Sequence, residues 1–167
     1  MKDDQISQAG EPANATAQPQ TNPPQRILVV DDEISILLLS TEVLIHHGYE
    51  VDTAGDGAAA WQKLIIGRYD LLITDQNMPI VTGVELVNKL RAARMALPVI
   101  MATGTLPEEE FTRYPWLRPA AMLLKPYTVA ELVGTVKEVL RATDGARGQI
   151  SPPPNWQSEP TADRLLL

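Results

Sequence analysis

The chain reads as short apolar runs closed by polar residues, separated by stretches in which apolar positions recur every three or four residues. Ile27–Val30 runs into Asp31-Asp32, Leu71–Thr74 into Asp75, Val99–Ala102 into Thr103 and Met122–Leu124 into Lys125. Continuous apolar runs of this length fit strands buried on both faces of a parallel sheet, whose carboxyl ends open onto the functional edge. The pattern predicts strands over Arg26–Val30, Tyr49–Ala54, Leu71–Asp75, Pro98–Thr103 and Ala121–Lys125. The second is the most polar, as suits a sheet edge.

Helical patterns lie between them. Ile34, Leu37, Leu38, Leu44 and Ile45 stand at helical spacing, and Gly48 stops that helix. Asp56 is placed to cap a second helix with Ala60, Trp61, Leu64 and Ile65 on one face. Thr82 with Glu85, and Thr128 with Glu131, have capping-box spacing at the start of the third and fifth helices. The fifth is expected to bury Val129, Leu132, Val133, Val136, Val139 and Leu140. The fourth spans Leu106–Arg113, with Pro107 and Glu108 to Glu110 suited to a first turn. Pro115 and Pro119 limit it to about two turns. Phe111, Tyr114 and Trp116 cluster there.

Five such units impose crossovers, a parallel sheet and helices on both faces. The expected fold is α/β, a doubly wound five-stranded parallel sheet of strand order 2-1-3-4-5. In that order the first and third strands are neighbours at the switch point, so Asp31, Asp32 and Asp75 share one pocket.

Composition sets the limits of this domain. The chain has 167 residues, and the alternating pattern occupies 26–142. Residues 1–25 and 143–167 hold eight of the 14 prolines and read as disordered tails; Trp156 and Leu165 to Leu167 are the apolar exceptions in the second. The net charge of −7 argues against direct nucleic-acid binding, which wants a basic face. The absence of cysteine excludes disulfides, thiolate catalysis and cysteine-ligated zinc. His46 and His47 fall at the end of the first helix, where imidazole meets orphan carbonyls. The start, Met1-Lys2-Asp3-Asp4-Gln5, lacks a signal-peptide core, and no apolar stretch approaches the ~20 residues of a membrane span. A cytoplasmic location is expected.

Three carboxylates in one pocket repel, and one would take up a proton unless a cation joined them. An all-oxygen carboxylate set with water fits Mg²⁺. One carboxylate could then attack phosphorus and form an acyl phosphate, with Lys125 pairing one phosphoryl oxygen and the Thr103 hydroxyl bonding another. A phosphohydrolase of the haloacid-dehalogenase type would want a second acid where Asn77 stands. A flavin phosphate would be repelled by the acidic loop after the first strand.

Leu28-Val29-Val30-Asp31-Asp32-Glu33, Asp75-Gln76-Asn77-Met78-Pro79 with Gly83, Met101-Ala102-Thr103-Gly104 and Leu124-Lys125-Pro126-Tyr127 together resemble the receiver domain of two-component response regulators over residues 26–142. The resemblance implies the flavodoxin-like receiver fold. It implies that Asp75 is the phosphoacceptor, that Asp32 binds Mg²⁺ directly and Asp31 through water, and that the Asn77 backbone carbonyl completes the protein ligands. Thr103 resembles the switch hydroxyl, Lys125 the lysine that contacts the phosphoryl group, and the Lys125-Pro126 peptide is expected to be cis. The implied donor is a phosphohistidine on a sensor histidine kinase or histidine phosphotransfer protein, with small acyl phosphates as substitutes. The implied output is a downstream protein bound on the face of the fourth helix, fifth strand and fifth helix. Two features of that face depart from the family: Met122 stands where an aromatic residue is usual, and the fourth helix is short. Too few residues follow the fifth helix for a DNA-binding module, so a stand-alone receiver is expected. It would be no enzyme beyond its own aspartyl phosphorylation and dephosphorylation. The alternative is an adaptor that binds its partner without phosphorylation.

Overall fold

The computed structural model describes residues 23–105 and 108–148. Expectations for 1–22 and 149–167, Trp156 and Leu165 to Leu167 included, lie outside the described residues, as do Leu106 and Pro107 at the expected start of the fourth helix.

The elements run β1 (Arg26–Val30), α1 (Ile34–His46), β2 (Glu50–Ala54), α2 (Gly57–Ile66), β3 (Leu71–Asp75), α3 (Gly83–Ala92), β4 (Val99–Thr103), α4 (Glu108–Arg113), a 3₁₀ turn (Pro115–Leu117), β5 (Ala121–Leu124) and α5 (Val129–Gly148). The five strands are parallel, in the order β2-β1-β3-β4-β5. Each strand side chain points to one face or the other, so the apolar runs feed two cores at once. Leu28, Val30, Leu72, Val99 and Met101 pack with Ala60, Leu64, Leu86, Leu90, Phe111 and Leu117 of α2, α3, α4 and the 3₁₀ turn. Ile27, Val29, Leu71, Ile73 and Ile100 pack with Leu44 of α1 and Leu132, Val136 and Leu140 of α5. At ~2–5 kcal/mol for truncating a buried Leu or Ile to Ala, this double core is what holds the strand ends in register.

Caps fall where the side-chain chemistry places them. Asp56 Oδ1 accepts from the Ala59 amide at 2.7 Å. Thr82 and Glu85 form a reciprocal capping box, and Thr128 and Glu131 repeat it on α5. His47 Nδ1 lies 2.8 Å from the Val43 carbonyl at the end of α1.

Three helices differ from the sequence expectation. Helix α1 forms, but it buries Ser40 and Leu44 and half-buries Leu37, while Ile34, Leu38 and Ile45 are exposed. Its sequence is apolar on more than one side, so spacing alone leaves the buried face open. Ile65 and Val129 are likewise exposed, and α2 buries Gly57, Ala60 and Leu64 instead. Helix α5 runs on to Gly148, so residues 143–148, read as tail from their glycines, are helical. Thr143 Oγ1 bonds the Val139 carbonyl at 2.9 Å and Gln25 Nε2 bonds Asp144 at 3.1 Å, contacts that support the extra turns against the glycine cost of ~1 kcal/mol each. Among the described residues no helix is long and apolar enough to cross a membrane.

Candidate functional site

The sheet register brings the polar strand ends to one edge. Val30 lies beside Thr74, Asp75 beside Ala102, and Thr103 beside Leu124. Asp31, which follows Val30, is therefore level with Asp75, while Thr103 and Lys125 lie one and two residues further along the same edge. The Lys125 amide extends the ladder, donating to the Thr103 carbonyl at 2.8 Å. The Lys125-Pro126 peptide is cis, as the motif implied.

Asp31 and Asp75 are both buried, and one ammonium joins them. Lys125 Nζ stands 2.9 Å from Asp31 Oδ2 and 2.6 Å from Asp75 Oδ1. Burial pulls the ammonium's pKa down, but hydrogen bonds to Asp75 and Asp31 outweigh it and hold it above the ordinary lysine value. Asp75 Oδ2 accepts from the Asn77 amide at 2.6 Å, and Asp31 Oδ1 from the Glu33 amide at 2.9 Å. One positive charge against two buried carboxylates leaves a negative pocket.

Of the expected three carboxylates, the structure gathers two with Lys125. Asp32, by contrast, is exposed. Among the described residues no three acidic or imidazole side chains are grouped closely enough to hold an ion. The donor chemistry nevertheless fits a hard divalent cation: Asp31, Asp32 and Asp75 offer carboxylate oxygens, and Asn77 a backbone carbonyl on the loop directly after β3.

Thr103 is completely buried, and its hydroxyl is occupied. Thr103 Oγ1 donates to the Thr105 carbonyl at 2.6 Å and accepts from the Thr105 amide at 3.2 Å. Thr105 is a partner that the sequence reading missed; only the small-residue run Thr103-Gly104-Thr105 hints at such a turn. Gly83 closes the site from behind. A Cβ there would collide with the Asp75 carbonyl, while the Gly83 amide bonds the Gln76 carbonyl at 3.0 Å.

Met122 is half-buried against the same core as Phe111 and Leu117, so a thioether fills its strand position and the aromatic ring comes from α4. Tyr114 and Trp116 remain exposed, edge to face with ring centres 5.3 Å apart.

A family model described as the response regulator receiver domain matches residues 27–137. The alkaline phosphatase synthesis transcriptional regulatory protein PhoP of Bacillus subtilis is 35% identical over 122 residues, 72% of this chain and 50% of PhoP. The structure of the chemotaxis response regulator CheY4 of Vibrio cholerae superposes with a TM-score of 0.64 at 34% identity, covering 70% of this chain and 98% of that one. The response regulator TrrA of Thermotoga maritima, solved in complex with Mg²⁺ and BeF, superposes with a TM-score of 0.60 at 34% identity, covering 69% of this chain and 98% of that one. The chain spans about half the length of the curated relatives that it matches, PhoP among them.

Proposed function

This chain belongs to the response regulator receiver family, and from that premise we propose that it is a phosphorylation switch whose phosphoacceptor is Asp75. The observation that carries the reading is Lys125 Nζ held between Asp31 and Asp75, a cation placed where phosphoryl oxygens would arrive. The Asp75 carboxylate attacks phosphorus; an aspartyl P–O bond forms as the P–N bond to the donor imidazole breaks, and the imidazole leaves with the electron pair. The incoming oxygens compete for the ammonium, so Lys125 can release Asp75 and pair with the transferred group. A Mg²⁺ held by Asp31, Asp32, Asp75 and the Asn77 carbonyl would supply the charge neutralisation that one lysine leaves incomplete.

The readout begins at Thr103. To reach a phosphoryl group its hydroxyl must leave Thr105, which frees the backbone that leads to α4. Partners then respond to the α4–β5–α5 face, with Phe111 and Met122 in place of the usual single aromatic. The donor is a sensor histidine kinase or histidine phosphotransfer protein in the cytoplasm, and the chain catalyses only its own phosphorylation and dephosphorylation.

Amide NMR spectra with Mg²⁺, with and without beryllofluoride, test this. Beryllofluoride-dependent shifts are expected around Asp75, Thr103–Thr105 and Lys125. Spectra that do not respond at those loops would overturn the reading in favour of a phosphorylation-independent adaptor.

A further inference from the structure

Two aromatic side chains on the crossover from β4 to β5 belong to neither core. Phe111 and Leu117 are buried and fasten the segment to the sheet, while between them Tyr114 is 39% and Trp116 60% exposed. The backbone that carries these two rings is tied down. The Tyr114 amide bonds the Glu110 carbonyl at 2.8 Å, and the Leu117 amide bonds the Tyr114 carbonyl at 3.0 Å. Pro115 opens the 3₁₀ turn with its φ fixed in advance. The rings meet edge to face with centres 5.3 Å apart, and the Arg113 guanidinium lies 5.9 Å from the Tyr114 ring centre. They form a small aromatic step, set before anything binds, with an indole N–H as donor and a cation beside it. Such a step suits a proline-rich segment, whose rings pack on aromatic faces and whose carbonyls are free to accept from the indole.

The sequence supplies such a segment close by. Ser151-Pro152-Pro153-Pro154-Asn155-Trp156 begins three residues after Gly148, where α5 ends. Extended or as polyproline, the three prolines can lie about 12–20 Å from Gly148. A groove of about 410 Å³ leads the chain in that direction. It lies between the last turns of α5 and the start of β5, lined by Val139, Ala142 and Ala146 from the helix and by Ala120 and Ala121 beside it. Strand β5 is at the sheet edge, so nothing of the sheet stands beyond it. Ala120 is four residues from Trp116, a span of at most about 14 Å. A chain leaving α5 therefore has a short apolar path round the edge of β5 to the aromatic step. Charge agrees with it: Glu159 and Asp163 follow the prolines, and Arg113 and Arg118, which flank the rings in sequence, are exposed. So short a tether also gives the segment a millimolar local concentration, which populates a contact too weak to form between separate molecules. We propose that Tyr114 and Trp116 are the docking site for the chain's own Pro152-Pro153-Pro154 segment, which crosses the α5–β5 groove and screens the α4–β5 side from other partners. This contact stands whether or not Asp75 is the phosphoacceptor.

The chain has no cysteine, so Ser151→Cys in the full-length protein places a single nitroxide label just ahead of the prolines. In amide and indole NMR spectra the label should lower the intensities of the Trp116 indole and the Tyr114 and Leu117 amides at least twofold and leave the Trp61 indole unchanged. Adding Pro152→Ser, Pro153→Ser and Pro154→Ser to the labelled chain should restore most of that intensity. Trp116→Ala should do the same, read at the two amides. Isotope-labelled chain without nitroxide, mixed with nitroxide-bearing chain, should show no broadening. Intensities indifferent to the label would overturn the proposal. Broadening that survives both the proline and the Trp116 substitutions would overturn it too, because the tether alone would then account for the proximity. Broadening in the mixture equal to that within one chain would give the site to the segment of a second copy and overturn docking within a single molecule.

Discussion

Lys125 Nζ lies 2.6 Å from Asp75 Oδ1 although their strands, β5 and β3, are not neighbours; β4 runs between them. The ammonium reaches across the end of that strand, over buried Thr103, and continues to Asp31 at 2.9 Å. Three of the five strands thereby depend on one side chain for charge balance at their carboxyl ends.

That balance is incomplete, which gives two substitutions opposite signs. Asp75→Asn removes one of two carboxylates sharing a single cation and is expected to stabilise the fold by ~1 kcal/mol while abolishing labelling. Lys125→Met leaves both carboxylates buried without a cation and is expected to destabilise by ~1–3 kcal/mol, less than for a fully buried pair because Lys125 is partly solvated. Urea unfolding of both variants at neutral pH checks this; the same sign for the two would contradict it.

Stability should fall with rising alkalinity. Lys125 is held above its ordinary value, so its contribution is full below about pH 10.4, the unfolded lysine value, and is lost as pH rises through the folded value. Tyr69 acts in the same direction: burial, then its hydrogen bond to Asp52, pushes the phenol up to about 12, so the unfolded chain ionises first, from about pH 10. Urea midpoints measured from pH 8 to pH 11.5 should decline above pH ~10, and Lys125→Met with Tyr69→Phe should flatten that decline. An equal slope in the double variant would refute the assignment.

Gly83→Ala places a methyl group into the Asp75 carbonyl, in a loop that Pro79 and the Thr82–Glu85 box leave little room to shift. A loss of ~2–3 kcal/mol is expected, with slower acyl-phosphate labelling because the backbone of the acceptor itself moves. Wild-type thermal stability in this variant would show that the close approach is not needed.

For Thr103 the two functions of the hydroxyl can be separated. Thr103→Ala removes the bonds to Thr105 and is expected to cost ~1–2 kcal/mol, to leave labelling of Asp75 within a few-fold, and to abolish the beryllofluoride-dependent shift of the Thr105 amide. Thr103→Ser should retain that shift. A Thr105 shift that persists in the alanine variant would place the trigger elsewhere.

Much of this architecture was legible because the strands are apolar runs with abrupt polar ends. A run buried on both faces has no phase ambiguity, so β1, β3 and β4 were found to within one residue and the sheet order followed from crossover rules. Helices were less legible in orientation. Ile34, Leu38 and Leu39 sit among core-like residues in α1 yet face solvent, because composition does not say which of several apolar sides meets the sheet. Within the site, the residue types and their shared edge were readable, whereas rotamers were not. The exposure of Asp32 and the bond from Thr103 to Thr105 arise from local backbone geometry that the residue names do not encode. The positive φ of Ile80 was invisible for the same reason: the sequence offers an ordinary strand former where the chain turns.

The most direct test of the phosphoacceptor is intact-mass measurement of the full-length chain after incubation with Mg²⁺ and acetyl phosphate, beside Asp75→Ala. Wild type should gain the mass of one phosphoryl group, and should gain none when Mg²⁺ is chelated before labelling; the variant should gain none in either case. No gain on wild type, or equal gain on Asp75→Ala, would contradict a phosphorylation switch at Asp75.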